Sequence, residues 1–208
     1  TGATGIIKIN VMPMDVQFEQ GETVIRDDSK VYPYVAVGGK TMAAVTDGGV
    51  LYTWGDNTYG QLGIGLTSDA TPYSTTPTVA INGNVKKVVV GDGFMVAVTI
   101  NGEVYAWGRN ANGQLGNNTI TTNDSIDNAN NYNANSPKRV LISYDGENMQ
   151  NLDGIVNVNA GVNSSMAVGR DGYLYSWGSG ANNTTGVGST ANSLTAKYTK
   201  RGESFYSD

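Results

Sequence analysis

The stretch LYTWGDNTYGQLGIG, Leu51 to Gly65, joins an aromatic, strand-like segment to four glycines and one acid, Asp56. Glycines beside a carboxylate serve phosphate and metal sites, and they serve the turns of a repeated sheet equally well. Recurrence decides between the two. TWGDNTYGQLGIG from Thr53 returns as AWGRNANGQLGNN from Ala106 and as SWGSGANNTTGVG from Ser176. The tryptophans, Trp54, Trp107 and Trp177, stand 53 and 70 residues apart. A P-loop requires Lys-Ser/Thr after its last glycine and a dinucleotide site requires a following helix; here IGLTSD follows. Asp56 becomes Arg109 and then Ser179, so the one charge that hints at chemistry is the least repeated position.

The likeness extends upstream without gaps. VGGKTMAAVTDGGVLYTWG, VGDGFMVAVTINGEVYAWG and AGVNSSMAVGRDGYLYSWG superpose in length. Gly38, Gly91 and Gly161 each stand 16 residues before their Trp, and Gly55, Gly108 and Gly178 directly follow it. Each unit reads as four strands. The first is VAVGG, VVVGD or VNAGV, and the second is TMAAV, FMVAV or SSMAV. A turn follows at DGG, NG or DG, where Asn-Gly and Asp-Gly tolerate positive φ. The third strand, LYTWG, VYAWG or YLYSWG, alternates with period two. The fourth lies near TPTVAI and SPKRVLI, and a proline at its start suits an edge strand.

The second period is 17 residues longer than the first. The excess is expected in and around NDSIDNANNYNANSP (Asn123 to Pro137), read as a polar surface loop that costs little stability. MPMDVQFEQGET, Met12 to Thr23, resembles SPKRVLISYDGEN, Ser136 to Asn148, so the chain is expected to open with an outer strand of a preceding or neighbouring blade. LTAKYT, Leu194 to Thr199, takes the fourth-strand position with Ala196 where proline is expected. The divisions that follow are 1–30 for the N-terminal segment, 31–83 and 84–153 for the first two units, and 154–208 for a third, degenerate at its C-terminal end.

Composition restricts the chemistry. The 208 residues hold no Cys and no His, with 15% charged residues and a net charge of -5. Disulfides, thiolate nucleophiles, the commonest general base and the commonest zinc ligand are therefore ruled out. The acidic balance disfavours a nucleic-acid partner. No apolar run approaches membrane-spanning length. The chain begins TGATG without Met and reads as an interior or processed piece of a longer product.

These motifs resemble the RCC1 (regulator of chromosome condensation) repeat family, whose pattern is roughly G-x-x-H-[ST]-x-A-[LV]-x-x-[DN]-G-x-[VL]-[YW]-x-W-G-x-N-x-x-G-Q-L-G-x-G. Gly38, Ala44, Gly49, Trp54, Gly55, Asn57, Gly60, Gln61, Leu62, Gly63 and Gly65 match in the first copy. Gly91, Ala97, Gly102, Trp107, Gly108, Asn110, Gly113, Gln114, Leu115 and Gly116 match in the second, and the third decays after Gly178. The family's His position holds Thr41, Phe94 and Ser164, which discourages carrying over a His-dependent role. The resemblance implies an all-β fold of four-stranded antiparallel propeller blades. Three blades leave the ring incomplete, because propellers use four to eight. Ring completion then falls to the rest of a larger propeller or to other copies of the chain, through strand exchange into a ring or a fibre.

Gly38, Trp54, Gly55, Gly91, Trp107, Gly108, Gly161, Trp177 and Gly178 are read as blade-forming. Tyr52, Tyr105 and Tyr175 are repeat-locked and therefore structural. Tyr59, Tyr73 and Tyr132 fall in expected loops, and they are the candidate anchors for a protein interface, with Phe94 a fourth. Asp124 and Asp127 lie among asparagines but lack the spacing and closing Glu of an EF-hand. Asp145, Glu147 and Asp153 read as a polar loop. No catalytic, metal or cofactor residue is assigned, and no small-molecule substrate. The function expected is a non-catalytic interaction or structural module of a secreted or cell-surface protein, binding a protein partner or copies of itself. A secreted inhibitor or toxin accessory is the alternative. Guanine-nucleotide exchange, which the resemblance also implies, is disfavoured by the acidic balance and the partial ring.

Overall fold

The chain is described by a computed structural model over residues 30–66, 70–121, 133–143 and 147–199. Expectations for Met12 to Thr23, Asp124, Asp127, Tyr132 and Asp145 lie outside those residues.

Short β-branched and aromatic segments between glycine turns form three antiparallel sheets in sequence. The first is β1 (Tyr34–Gly38), β2 (Thr41–Val45), β3 (Val50–Asp56) and β4 (Tyr73–Asn82), in that order. The second repeats it with β5 (Val85–Val90), β6 (Phe94–Thr99), β7 (Val104–Gly108) and β8 (Ala134–Arg139). β9 (Leu141–Ile142) and β10 (Gln150–Asn151) follow. The third blade is β11 (Ile155–Ala160), β12 (Ser164–Gly169), β13 (Leu174–Gly178) and β14 (Ser193–Tyr198). A short 3-10 helix, Ala181–Asn183, lies between β13 and β14. The register is the same in all three blades: Val35, Ala44 and Tyr52 align across blade 1 as Val88, Ala97 and Tyr105 do across blade 2 and Val158, Ala167 and Tyr175 across blade 3.

Three local expectations are corrected. At the hairpin turns only the last glycine of Asp-Gly-Gly, Asn-Gly or Asp-Gly takes positive φ: Gly49 at 75°, Gly102 at 83° and Gly172 at 79°. In the first, Gly49 N donates to Thr46 O and Thr46 N to Val50 O, so one left-handed residue closes a four-residue connection rather than two closing a two-residue one. The prolines sit inside the outer strands rather than at their starts. Pro77 falls where the β3–β4 register shifts between Thr53 and Gly55, and Pro137 where the β7–β8 register shifts between Ala106 and Gly108. A bulge frees a residue from the ladder, which is where a residue without N–H is tolerated.

The third correction concerns the 17 extra residues, which are split by β8. From Gly63 to the outer-strand residue Thr78 is 15 positions, and from Gly116 to its equivalent Lys138 is 22, so seven precede the strand and ten follow it. Residues 134–137, expected in the loop, begin β8 itself. The ten that follow build β9 and β10 and bury Val140, Ile142 and Leu152. They also join blade 3: β9 pairs in parallel with β14 at Ile142 and Ala196, giving the sheet order β10-β9-β14-β13-β12-β11. The six-stranded sheet explains Ala196. It occupies the bulge position of Pro77 and Pro137, yet β14 is not an edge there, so a residue without N–H fits worse.

Ala196→Pro is expected to cost about 2–3 kcal/mol, and Pro77→Ala, on a true edge, under about 1 kcal/mol. Urea denaturation of the two variants measures the difference.

Candidate protein-interaction surface

The Gly-Gln-Leu-Gly segment packs between blades. Within its own blade it is tied down by side chains. Asn57 Oδ1 accepts from Leu62 N at 3.0 Å, and Asn57 Nδ2 donates to Thr71 O at 2.8 Å. Asn110 repeats the first bond with Leu115 N at 3.1 Å, and its Nδ2 donates to Thr119 O at 3.0 Å. Thr53 Oγ1 donates to Leu62 O at 2.6 Å. The charge that raised the question of chemistry, Asp56, accepts from Gln61 Nε2 at 2.9 Å and from Thr58 Oγ1 at 2.7 Å, so it holds the turn. In blade 2 that position is Arg109, which cannot accept, and Gln114 Nε2 is buried without a partner.

So held, each loop covers the tryptophan of the next blade. Trp107 Nε1 donates to Gln61 O at 2.9 Å, and Trp177 Nε1 donates to Gln114 O at 2.9 Å. Gly63 and Gly116 lie on the two indoles, where an added Cβ would come within 2.5 Å of Trp107 Nε1 and 2.8 Å of Trp177 Cδ1. Both tryptophans are fully buried.

Trp54 occupies the same register position and is only half-buried. Its neighbours on that face follow suit. Val35 is 60% exposed, against 0% for Val88 and 2% for Val158, its equivalents. Met42 is 41% exposed, whereas Met95 and Ser165 are 0% and 2%. Val37 is 69% exposed. Val35, Val37, Met42 and Trp54 share one side of the sheet through the pairs Val35↔Ala44, Val37↔Met42 and Met42↔Trp54. Blade 1 therefore presents, uncovered, the face that blades 2 and 3 bury. A contiguous exposed apolar patch of this kind is a candidate contact surface.

The residues singled out as interface anchors are placed differently from one another. Phe94 is wholly buried, with its ring where a Cβ on Gly91 would stand, so it belongs to the core and presents nothing to a partner. Tyr59 packs between blades: its ring lies against Gly93 and under the Arg109 guanidinium, 5.1 Å from the ring centre, and Arg109 stands 3.9 Å from Asp92. Tyr73 is 64% exposed at the start of β4, away from the Trp54 side chain in register. Phe94 and Tyr59 thus lie away from the open face, and Tyr132 is outside the described residues. Val35, Val37 and Met42 were missed; their periodicity reads as core, and nothing in their own sequence distinguishes them from Val88, Val90 and Met95.

Other polar contacts secure the stack. Lys87 Nζ donates to Asn157 Oδ1 at 2.7 Å across blades 2 and 3, and burial lowers the amine's pKa from its ordinary value. Arg139 reaches Glu103 at 3.0 Å and Asp153, and lies over the Tyr105 ring. Tyr175 donates to Asp171 at 2.5 Å; burial first, then bonding with Asp171 and Tyr198, pushes its phenol above the ordinary value.

Two models of the regulator of chromosome condensation (RCC1) repeat match the chain, one over residues 34–61 and 85–114 and the other over residues 48–98 and 101–168. The ultraviolet-B receptor UVR8 of Arabidopsis thaliana is 34% identical over 155 residues, covering 74% of this chain and 31% of the receptor. The E3 ubiquitin-protein ligase HERC2 of Homo sapiens is 34% identical over 160 residues, covering 74% of this chain and 3% of the ligase. Yeast RCC1 (Prp20), in its complex with Kap60, superposes with a TM-score of 0.65 at 23% identity, over 82% of this chain and 37% of that one. The chain thus spans under two fifths of each of these proteins.

Gly63 and Gly65 both have positive φ, but an added Cβ at Gly65 meets nothing within 4 Å. Gly65→Ala is expected to cost about 1–2 kcal/mol for the backbone alone. Gly63→Ala should cost a further 1–3 kcal/mol, roughly, for overpacking the indole. Denaturant midpoints give the comparison, and equal losses would mean the glycine–indole contact contributes nothing. A double-mutant cycle on Tyr59 and Arg109 is expected to return a coupling of about 0.5–1 kcal/mol; a coupling of zero would place Tyr59 outside the blade junction.

Proposed function

This chain belongs to the RCC1 repeat family, whose propeller domains are protein-interaction modules, and we propose that it makes its own partner contact through the open face of blade 1. One observation carries the reading: Val35 and Met42 are exposed and Trp54 is half-buried at positions whose equivalents are buried between blades, with exposed Val37 beside them. The role is non-catalytic. The surface offers an indole, a thioether and two valines, with no titratable group among them, so its ligand is another apolar protein surface. Exchange-factor activity has no support in a fold likeness at 23% identity, and what yeast RCC1 binds stays with yeast RCC1. Low charge and richness in Asn, Thr and Ser support a place outside the cell or on its surface, which fractionation of the native source tests.

A photo-crosslinking residue at position 35 or 42 is expected to capture a protein in the native source. The same residue at Asp47, in the exposed hairpin turn, serves as the control and should capture none. Equal labelling at 35, 42 and 47 would remove the open face as the binding site.

A further inference from the structure

Blade 1 supplies a carboxylate to its own turn, and blade 2 does not. In blade 1 the Gln61 side chain is fixed at both ends. Its Oε1 accepts from Tyr59 N at 2.7 Å, and its Nε2 donates to Asp56 Oδ2 at 2.9 Å. The other carboxylate oxygen, Asp56 Oδ1, accepts from Thr58 Oγ1 at 2.7 Å and faces Thr58 N at 3.4 Å. Gln114 keeps the first half of this arrangement, since its Oε1 accepts from Asn112 N at 2.8 Å. An amide held by its oxygen has its nitrogen aimed too, so Gln114 Nε2 points where Gln61 Nε2 meets the acid. Among the described residues it meets no acceptor there, although Gln114 is fully buried. Arg109 stands at the position of Asp56, and Ala111 at that of Thr58. Blade 3 replaces both members of the pair, with Ser179 and Thr184, so blade 2 alone keeps the glutamine without its acid.

We propose that this turn of blade 2 is a subsite for the carboxylate of a ligand, seated where Asp56 seats its own in blade 1. The template lies in the same chain. One carboxylate oxygen would take Gln114 Nε2, and the other would face the main-chain N–H of Ala111, which occupies the place of Thr58 N. A buried amide donor is costly to leave unmet, and here the same turn carries a positive charge. Arg109 puts its guanidinium over Tyr59 and 3.9 Å from Asp92, a loose pair at the surface. A guanidinium favours an ionised acceptor with two oxygens over a neutral carbonyl. Arg109, Ala111 and Asn112 are half-buried, so the turn lies at the surface, where a ligand can reach it. The site is separate from the open face of blade 1, and the two readings fail separately.

Nitrogen–proton NMR of the 208-residue chain follows the Gln114 side-chain amide as sodium acetate is added, with sodium chloride at matched ionic strength as the control. The amide resonance is expected to move saturably with acetate and not with chloride. Acetyl-Asp-amide carries the same carboxylate on a peptide unit. Saturation at a lower concentration than acetate would assign the carboxylate to a polypeptide, and saturation at the same concentration would assign it to a free acid; either supports the subsite. Arg109→Asp rebuilds the blade 1 turn from within, so it should keep a cooperative melt and lose the acetate shift. Arg109→Ala keeps Gln114 without the charge and should weaken acetate binding about tenfold. The inference is overturned if the parent shows no saturable shift, or if Arg109→Asp binds acetate as tightly as the parent. A crystal grown in acetate with a water only on Gln114 Nε2 would overturn it as well. So would a Gln114 resonance that moves on Asp124→Asn with Asp127→Asn in the absence of acetate, because the chain would then supply the carboxylate itself.

Discussion

Each blade junction depends on an indole N–H donated to a main-chain carbonyl of the preceding blade, with a glycine lying flat on the ring. Trp107 and Trp177 make this contact with Gln61 and Gln114. A tryptophan can be fully buried only if its N–H finds an acceptor, and an acceptor can reach it only if the chain above has no side chain in the way. The pattern Trp-Gly-x-Asn-x-x-Gly-Gln-Leu-Gly satisfies both needs. Asn57 and Asn110 fold the loop so that the carbonyl points outward, and Gly63 and Gly116 let it approach. Truncating an indole of this kind removes about 3–5 kcal/mol, on the scale of a small domain's whole stability.

The same constraint makes a run of blades directional. Every blade gives a tryptophan to one neighbour and a loop to the other, so any open run ends in one uncovered indole and one unfilled loop. At the first end the cost is visible as exposed Val35, Val37 and Met42. At the other, the loop has diverged: Thr184 and Thr185 replace Gln and Leu, and Gly180 replaces the Asn that anchors the first two loops. The loop is nonetheless held, because Ser176 donates to Thr185 O as Thr53 does to Leu62 O in blade 1.

Much of this was legible from residues alone. Three gap-free copies gave the blades, the strands and the turn character of the stretch at Leu51, where Asp56 accepts from Gln61 and Thr58. What misled was local context. Phe94 occupies a position that varies between copies, which resembles freedom at a surface; its ring nonetheless lies against Gly91 and is wholly buried. Tyr59 reads as a loop aromatic, yet Gly93 on the next blade leaves a space that it fills. The seventeen extra residues read as one polar loop because asparagines dominate part of them, while the apolar Val140, Ile142 and Leu152 that tie the remainder to blade 3 are too few to announce a strand pair.

The amino-acid sequence by itself determined the unit: its period, its four strands, its glycine turns and the tryptophan that each copy spends on its neighbour. Those are properties of short segments, set by side-chain alternation and by backbone angles that few residues other than glycine adopt. Only the tertiary structure decided which copy is covered. Val35 and Val88 are the same residue at the same register in the same kind of strand, and one is exposed while the other is buried. Burial depends on what stands opposite, and that is a property of the stack of blades, not of the segment.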